Sequence, residues 1–322
     1  MKKLISFGEV LVDQIEVVFG QPPANFAGGA PANVAVCYSK LGGDSIFVGG
    51  IATDDKAEFL LEELQNSGVD TSFVKVFAKS QTAVAKVTLD KENERSFKIL
   101  RDGTADTLFN KEHFERRMFK NALFFHFCSN SLTEGTLFEA TLCAVDLALK
   151  EDLIVCFDVN LRFDLWSDHS LIEKRVSAFF ASCHIIKMSL DELYYLTRVA
   201  GKSHDEYIFE CIALGVSLVL VTDGANIVKC TTPTITISVR PPKINAEDTT
   251  AAGDGFIGGF LWFLGQSIET EKDLQRFLLS PELIREALDF SAVCGAVTCS
   301  TKGAFAALPT KQDVAEFKRL VS

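Results

Sequence analysis

Asp248-Thr-Thr-Ala-Ala-Gly-Asp254 runs without a break into Gly255-Phe-Ile-Gly-Gly-Phe-Leu-Trp-Phe-Leu264. Small residues followed by an apolar run predict a tight turn opening a buried helix. The first N–H groups of such a helix lack internal partners, and the helix dipole adds partial positive charge there, so that end favours an anion. A carboxylate at the same end, Asp254, can take a proton from a hydroxyl held over it. An anion cradle and a base within four residues suggest phosphoryl transfer to an alcohol. Close packing alone also explains small residues at a helix start, so the reading depends on what else the chain carries.

Composition narrows the field. The chain has 322 residues, 48% of them hydrophobic, enough for a large core in one or two α/β domains. It shows no basic start followed by an apolar run, and Phe256 to Leu264 is too short to span a bilayer. A soluble, cytoplasmic protein without a membrane partner is expected. Nine cysteines are scattered without a C-x-x-C pair, and the five histidines are equally dispersed. Buried thiols in a reducing compartment explain that pattern better than disulfides or a metal cluster, so no metal ligands are assigned. A net charge of −11 without a basic stripe argues against nucleic acid as a partner. An anionic ligand must then be held by local N–H groups and a few Arg or Lys side chains.

Around the opening stretch, short β-like runs alternate with helical ones. The strand candidates are Leu4 to Phe7, Ser45 to Val48, Leu123 to Phe127, Leu153 to Asp158, His184 to Met188 and Leu218 to Thr222. Amphipathic stretches lie between them at Ala57 to Gly68, Leu137 to Leu149 and Ser189 to Val199. That alternation predicts an α/β fold with a mainly parallel sheet covered by helices. Two regions depart from it. Thr82 to Asp90 and Arg95 to Arg101 alternate as a hairpin about 91–94, and Glu9 to Phe19 alternates too, as does Ile235 to Val239. The hairpin and the Glu9 run predict a small sheet standing off the main one, a lid inserted at about 9–26 and 82–105. Without a Pro/Ser-rich linker, residues 1–322 read as one domain.

Gly28-Gly-Ala-Pro-Ala-Asn33 precedes a second helical run, Val34 to Leu41. Its glycines permit close backbone approach to a ligand, and Asn33 either caps that helix or binds a hydroxyl. Asp13 lies just past the first strand.

Gly8-Glu9…Asp13, Gly28-Gly29-x-Pro31-x-Asn33 and Asp248-Thr249…Ala252-Gly253-Asp254 occur in the order and spacing of the ribokinase-like (PfkB) carbohydrate kinases. The resemblance runs from Gly8 to Pro309. Within the family the chain looks most like bacterial fructokinases, on Arg95-Ser-Phe-x-x-x-Arg101-Asp-x-x-Ala-Asp106 and Phe157-Asp-Val-Asn-Leu-Arg162 followed by Leu165-Trp166. It implies a three-layer α/β sandwich with a β-sheet lid, and ATP-dependent phosphorylation of a primary hydroxyl, D-fructose to fructose 6-phosphate. A 2-keto-3-deoxygluconate kinase and a weakened sugar- or nucleotide-binding protein are the alternatives.

The resemblance assigns Asp254 as base, with Ala251, Ala252 and Gly253 in the anion cradle. Asp13, Gly28, Gly29 and Asn33 would hold the sugar, and Arg101 and Arg162 would reach sugar and phosphate. Asn160, Ser189, Glu192, Thr222, Gly224 and Gly303 would serve ATP, Glu192 by organising water-bound Mg²⁺. Ser189-x-x-Glu192 fits a helix capping box equally well, and both roles can coexist. Mg²⁺ would arrive with ATP, with K⁺ as an accessory ion, and a homodimer could form through the lid.

The chain departs from the pattern at five positions: Ala52 and Ala57 for glycines, Ile227 for the nucleotide loop's second glycine, Ala292 for an asparagine, and Ala251 where the cradle begins with glycine. Alanine donates the same N–H, so the cradle is expected to survive. The substitution is harmless at negative φ and costly at positive φ.

Overall fold

The computed structural model describes residues 2–16, 21–89 and 95–321. The turn at 91–94 and the end of the alternating run at 17–19 lie outside the described residues. The expected alternation is present. Strands β1 (Lys3–Phe7), β4 (Asp44–Val48), β6 (Val69–Asp70), β10 (Ala122–Cys128), β11 (Ile154–Asp158), β12 (Ile185–Ser189) and β13 (Leu218–Thr222) pair in parallel. Antiparallel β14 (Val228–Thr231) and β15 (Thr236–Val239) complete a nine-stranded sheet in the order β15-β14-β13-β12-β11-β10-β1-β4-β6. The alternating run at 235–239 thus belongs to the edge of this sheet.

A separate sheet, β3-β2-β8-β9, is built from β2 (Leu11–Ile15), β3 (Ala24–Gly28), β8 (Val84–Leu89) and β9 (Arg95–Leu100). A two-stranded pair, β5 (Gly50–Ile51) with β7 (Lys75–Val76), links the layers. Helices α3 (Gly135–Lys150), α4 (Ile172–Ser177), α5 (Leu190–Ala200) and α6 (His204–Ala213) pack on one face of the large sheet. The other face carries α1 (Ala30–Lys40), α7 (Ala252–Ser267), α8 (Glu271–Phe277) and α9 (Pro281–Thr298), with α2 (Asp55–Asn66) and α10 (Lys311–Val321) at its end.

The sequence explains this layering. Parallel strands buried on both faces are largely apolar, as in Leu123-Phe-Phe-His-Phe127 and Leu218-Val-Leu-Val221, which are buried at every position. Phenylalanines fill the α3 side, where Phe127 and Phe157 on adjacent strands stack 4.6 Å apart and 5° from parallel. Helix α7 is apolar almost all round, as a helix wedged between α1, α9 and the sheet must be. Gly258 and Gly259 let α1 and α9 approach it: a Cβ on either would meet Cys37 or Cys294 at 2.7 Å. The lid's small apolar face, Leu11, Ala83, Ala85 and Ile99, turns inward over the ends of the parallel strands. Among the described residues no helix is long and apolar enough to cross a membrane.

Candidate active site

A cleft of about 520 Å³ lies between the C-terminal ends of the parallel strands, the start of α7 and the lid. Strand ends in an open α/β sheet expose backbone and polar side chains that the sheet no longer needs, which is where such folds bind ligands. The cleft gathers Asp13, Gly29, Asn33, Asn160, Arg162, Ser189, Glu192, Thr222, Gly303 and Ala251 to Asp254. Those residues are spread over nearly 300 positions.

Asp254 sits in the first turn of α7 and is only 5% exposed. Asn33 Nδ2 donates to its Oδ2 at 2.7 Å and Asn160 Nδ2 to its Oδ1 at 3.1 Å. Burial raises its pKa, while the Asn33 bond and the positive charges of Lys187 and Arg162 oppose that rise. Asp13, on β2, faces the same space. Burial, and then the negative charges of Asp248 and Asp254, push its carboxyl up to about 6 against the pull of Arg162.

Gly28 and Gly29 explain how the lid joins α1 here. A Cβ on Gly28 would lie 2.3 Å from Asp13 Oδ2, and Gly29 opens the helix at φ 108, a left-handed-side conformation that favours glycine. Gly28 therefore shapes the Asp13 carboxylate from behind and is not itself part of the cleft lining.

Ala251 is the positive-φ case. It caps α7 at φ 59, ψ 8, the left-handed region, where an L-residue pays roughly 1–2 kcal/mol. The Ala252 N–H donates to Thr249 O at 3.3 Å. Asp248 ties this turn together. It accepts from Thr250 N and Oγ1, and its other oxygen accepts from Gly303 N at 3.2 Å. Gly303 in turn packs under Phe26 of the lid.

Lys187 is a site residue that the motif reading passed over. It is the third residue of β12, 4% exposed, and lines the cleft. Its Nζ donates to both oxygens of the fully buried Asp158 at 2.9 Å. The parallel register places the two side by side. Burial works against the Lys187 charge, and Asp158 with Glu192 more than compensates, so the ammonium is held. A Cβ on Gly253 would stand 2.9 Å from that Nζ, so the ammonium lies directly against the cradle. Lys187 and Arg162 are the two cations among the residues lining a cleft that also carries Glu9, Asp13, Glu192, Asp248 and Asp254. An anion entering it depends on them.

Asp158 is bonded to Lys187, and Arg162 lines the cleft with Nη1 donating to Leu161 O. Ser189 and Glu192 form the capping box, with Ser189 N donating to Glu192 Oε2 at 2.7 Å. Glu192 Oε1 also accepts from Leu161 N at 2.8 Å, tying α5 to the strand-exit loop that carries Asn160.

Arg101 is elsewhere. It is 7% exposed, pairs with Asp106, and donates to Asn130 O and Thr133 Oγ1. Its Nε and Nη1 are engaged at the root of the lid, and it does not line the cleft expected of a sugar ligand. Gly224 likewise lies outside the lining, in the turn after β13 at φ 49. Ala292 is buried in the core beneath α7, so its place in α9 is a packing position. Glu9 and Asn130 were not foreseen in the lining: Glu9 Oε1 accepts from Asn130 Nδ2 and from Ala30 N, capping α1 from a neighbouring strand exit.

All nine cysteines are free. The dispersed histidines concealed one convergence: His126, Cys128 and Asp158 come within 4.8 Å of one another behind the cleft. Lys187 occupies both Asp158 oxygens, and burial lowers the His126 pKa to about 3, which keeps the ring neutral.

This arrangement has close counterparts. Fructokinase-2 of Oryza sativa subsp. japonica is 34% identical over 326 residues, covering 99% of this chain and 94% of that protein. The crystal structure of a fructokinase with bound ATP from Xylella fastidiosa superposes with a TM-score of 0.95 at 34% identity, over 99% of this chain and 98% of that one. A fructokinase from Vibrio cholerae O395, in a fructose, ADP and calcium ion bound form, superposes with a TM-score of 0.84 at 28% identity, over 98% and 99% of the two chains. The model of the pfkB family carbohydrate kinases matches residues 1–311, and the chain belongs to that family.

Proposed function

We propose that the protein phosphorylates a primary hydroxyl of a furanose sugar with ATP, taking D-fructose to fructose 6-phosphate. The observation that carries this is Asp254. A buried carboxylate, each oxygen on one asparagine amide, stands at the head of α7 beside an ammonium held against the same turn. As the sugar oxygen bonds to the γ-phosphorus, the bond from that phosphorus to the β-phosphate oxygen breaks and ADP leaves. The hydroxyl proton passes to Asp254.

Asp13, Asn33 and the Gly29 backbone hold the sugar, with Gly28 setting the Asp13 carboxylate from behind. Arg162, Lys187 and the N–H groups at the start of α7 stabilise charge on the transferring group. Thr222 and Gly303 border the nucleotide, with Gly224 in the adjoining turn outside the cleft lining. Mg²⁺ arriving with ATP would neutralise phosphate charge, and Ser189 and Glu192 would border its place; K⁺ would be an accessory ion in this reading. The lid closes its apolar face over the sugar and limits wasteful hydrolysis. Its outer strands among the described residues, β3 and β9, are the edges through which a homodimer would pair. Nine free thiols suit a reducing cytoplasm.

The test is ATP consumption with fructose, 2-keto-3-deoxygluconate, ribose and adenosine. Fructose is expected to be preferred. Preference for the keto acid would instead assign Arg162 to a carboxylate, and sugar binding without any turnover would make the protein a binder.

A further inference from the structure

We propose that Asn160 is a positioning residue for this reaction, a clamp whose backbone is forced into the left-handed region so that its side-chain amide fixes the Asp254 carboxylate. The proposal rests on Asp254 being the base.

Four described non-glycine residues have positive φ: Asn121, Asp152, Asn160 and Ala251. The first two are exposed turn residues leading into β10 and β11, where the conformation is ordinary. Asn160 is different. It is 5% exposed, has φ 36, and lines the cleft.

Its neighbours hold it there from three directions. Val159 N donates to Lys187 O at 2.8 Å, Leu161 N donates to Glu192 Oε1 at 2.8 Å, and Ser129 Oγ donates to Asn160 O at 3.3 Å. These partners come from the middle of β12, the start of α5 and the residue just after β10. A strained conformation persists where surrounding structure over-determines it, and such positions concentrate at functional sites.

The strain delivers Nδ2 to Asp254 Oδ1 at 3.1 Å, opposite the Asn33 bond to Oδ2. The terminal torsion of a carboxylate is soft, and one amide leaves it free to turn. Two amides on opposite oxygens lock it. Each oxygen keeps a further lone pair, so a substrate hydroxyl can still approach. Glu192 thereby acquires a role besides the phosphate side: it pins the loop that sets the base.

Asn160→Gly separates backbone from side chain, because glycine adopts φ 36 freely but has no amide. The other charged groups facing Asp254 (Lys187 and Arg162, with Glu192, Asp13 and Asp158) remain, as do the neutral thiols of Cys37 and Cys128. The expected result is a kcat lower by about tenfold or more, fructose affinity by calorimetric titration within about twofold, and no loss of melting temperature. Losing a donor to the ionised carboxylate also moves the acid limb of kcat/KM to higher pH.

Wild-type kcat in Asn160→Gly, or a lowered kcat with an unmoved acid limb, overturns the proposal. Should that variant not fold, the isosteric Asn160→Asp, which tolerates positive φ and cannot donate while ionised, is read the same way, with a larger upward displacement expected from the added carboxylate. Asp254→Asn keeps the two claims apart. If it retains turnover, the base assignment itself is wrong; if it is inactive while Asn160→Gly behaves as wild type, only the clamp is wrong.

Discussion

Gly253→Ala sets two effects of known sign against each other. In the first turn of α7, alanine is favoured over glycine by up to about 1 kcal/mol. Against that, its Cβ would stand 2.9 Å from Lys187 Nζ and 3.7 Å from Cε. A lysine end usually swings aside, but this one is 4% exposed and held by both oxygens of Asp158 at 2.9 Å. Overpacking of this kind costs about 1–3 kcal/mol, so the net effect is a loss of about 1 kcal/mol. If the pair breaks instead, the stranded Asp158 costs about 3–5 kcal/mol.

For 322 residues the unfolding entropy is about 0.7 kcal/mol/K. Strain alone then lowers the melting temperature by about 1–2 °C, and rupture by about 4–7 °C. The diagnostic is a double-mutant cycle. Lys187→Met is itself destabilising because it abandons Asp158, but it removes the obstruction. In that background Gly253→Ala should be neutral or stabilising, giving a coupling of about 1–3 kcal/mol. Calorimetric melts of the four proteins read it directly. Gly253→Ala having the same effect in both backgrounds would refute the placement of the ammonium against the cradle.

Two further outcomes follow from the charges. Asp254 must be ionised to accept a proton, and burial raises its pKa, so activity is full above that pKa and falls as pH drops through it. The acid limb of kcat/KM should lie above the ordinary aspartate value of about 3.9, with Asp13, pushed up to about 6, contributing to it; a flat profile down to about pH 4.5 would contradict this. Arg101→Ala should act on stability first, since it strands the buried Asp106 and costs about 3–5 kcal/mol. An unchanged melt with a raised fructose KM would return Arg101 to the sugar.

The sequence carried the layers and the phosphate end of the site because both have local signatures. Strand runs such as Leu218 to Val221 are apolar throughout, and the turn at 248–254 announces its helix. What it concealed depends on register and dihedral angle. Lys187 is a charge inside the apolar run Ile185 to Met188, which is a signal in itself, yet only the pairing of β11 with β12 shows that Asp158 answers it. Ala251 was legible as a substitution, but its φ of 59 was not. Arg101 sits at a strand end where a motif suggests a ligand; its partners Asp106 and Asn130 come together only through the fold. Asn33 and Asn160, 127 positions apart in the chain, reveal their common purpose only where both meet Asp254.

Asp254→Asn tests the central claim most directly. The substitution preserves shape and removes the proton acceptor. Fructose-dependent ATP consumption should fall by about two orders of magnitude or more, while calorimetric fructose binding is retained. Turnover close to wild type, with binding intact, would contradict the account.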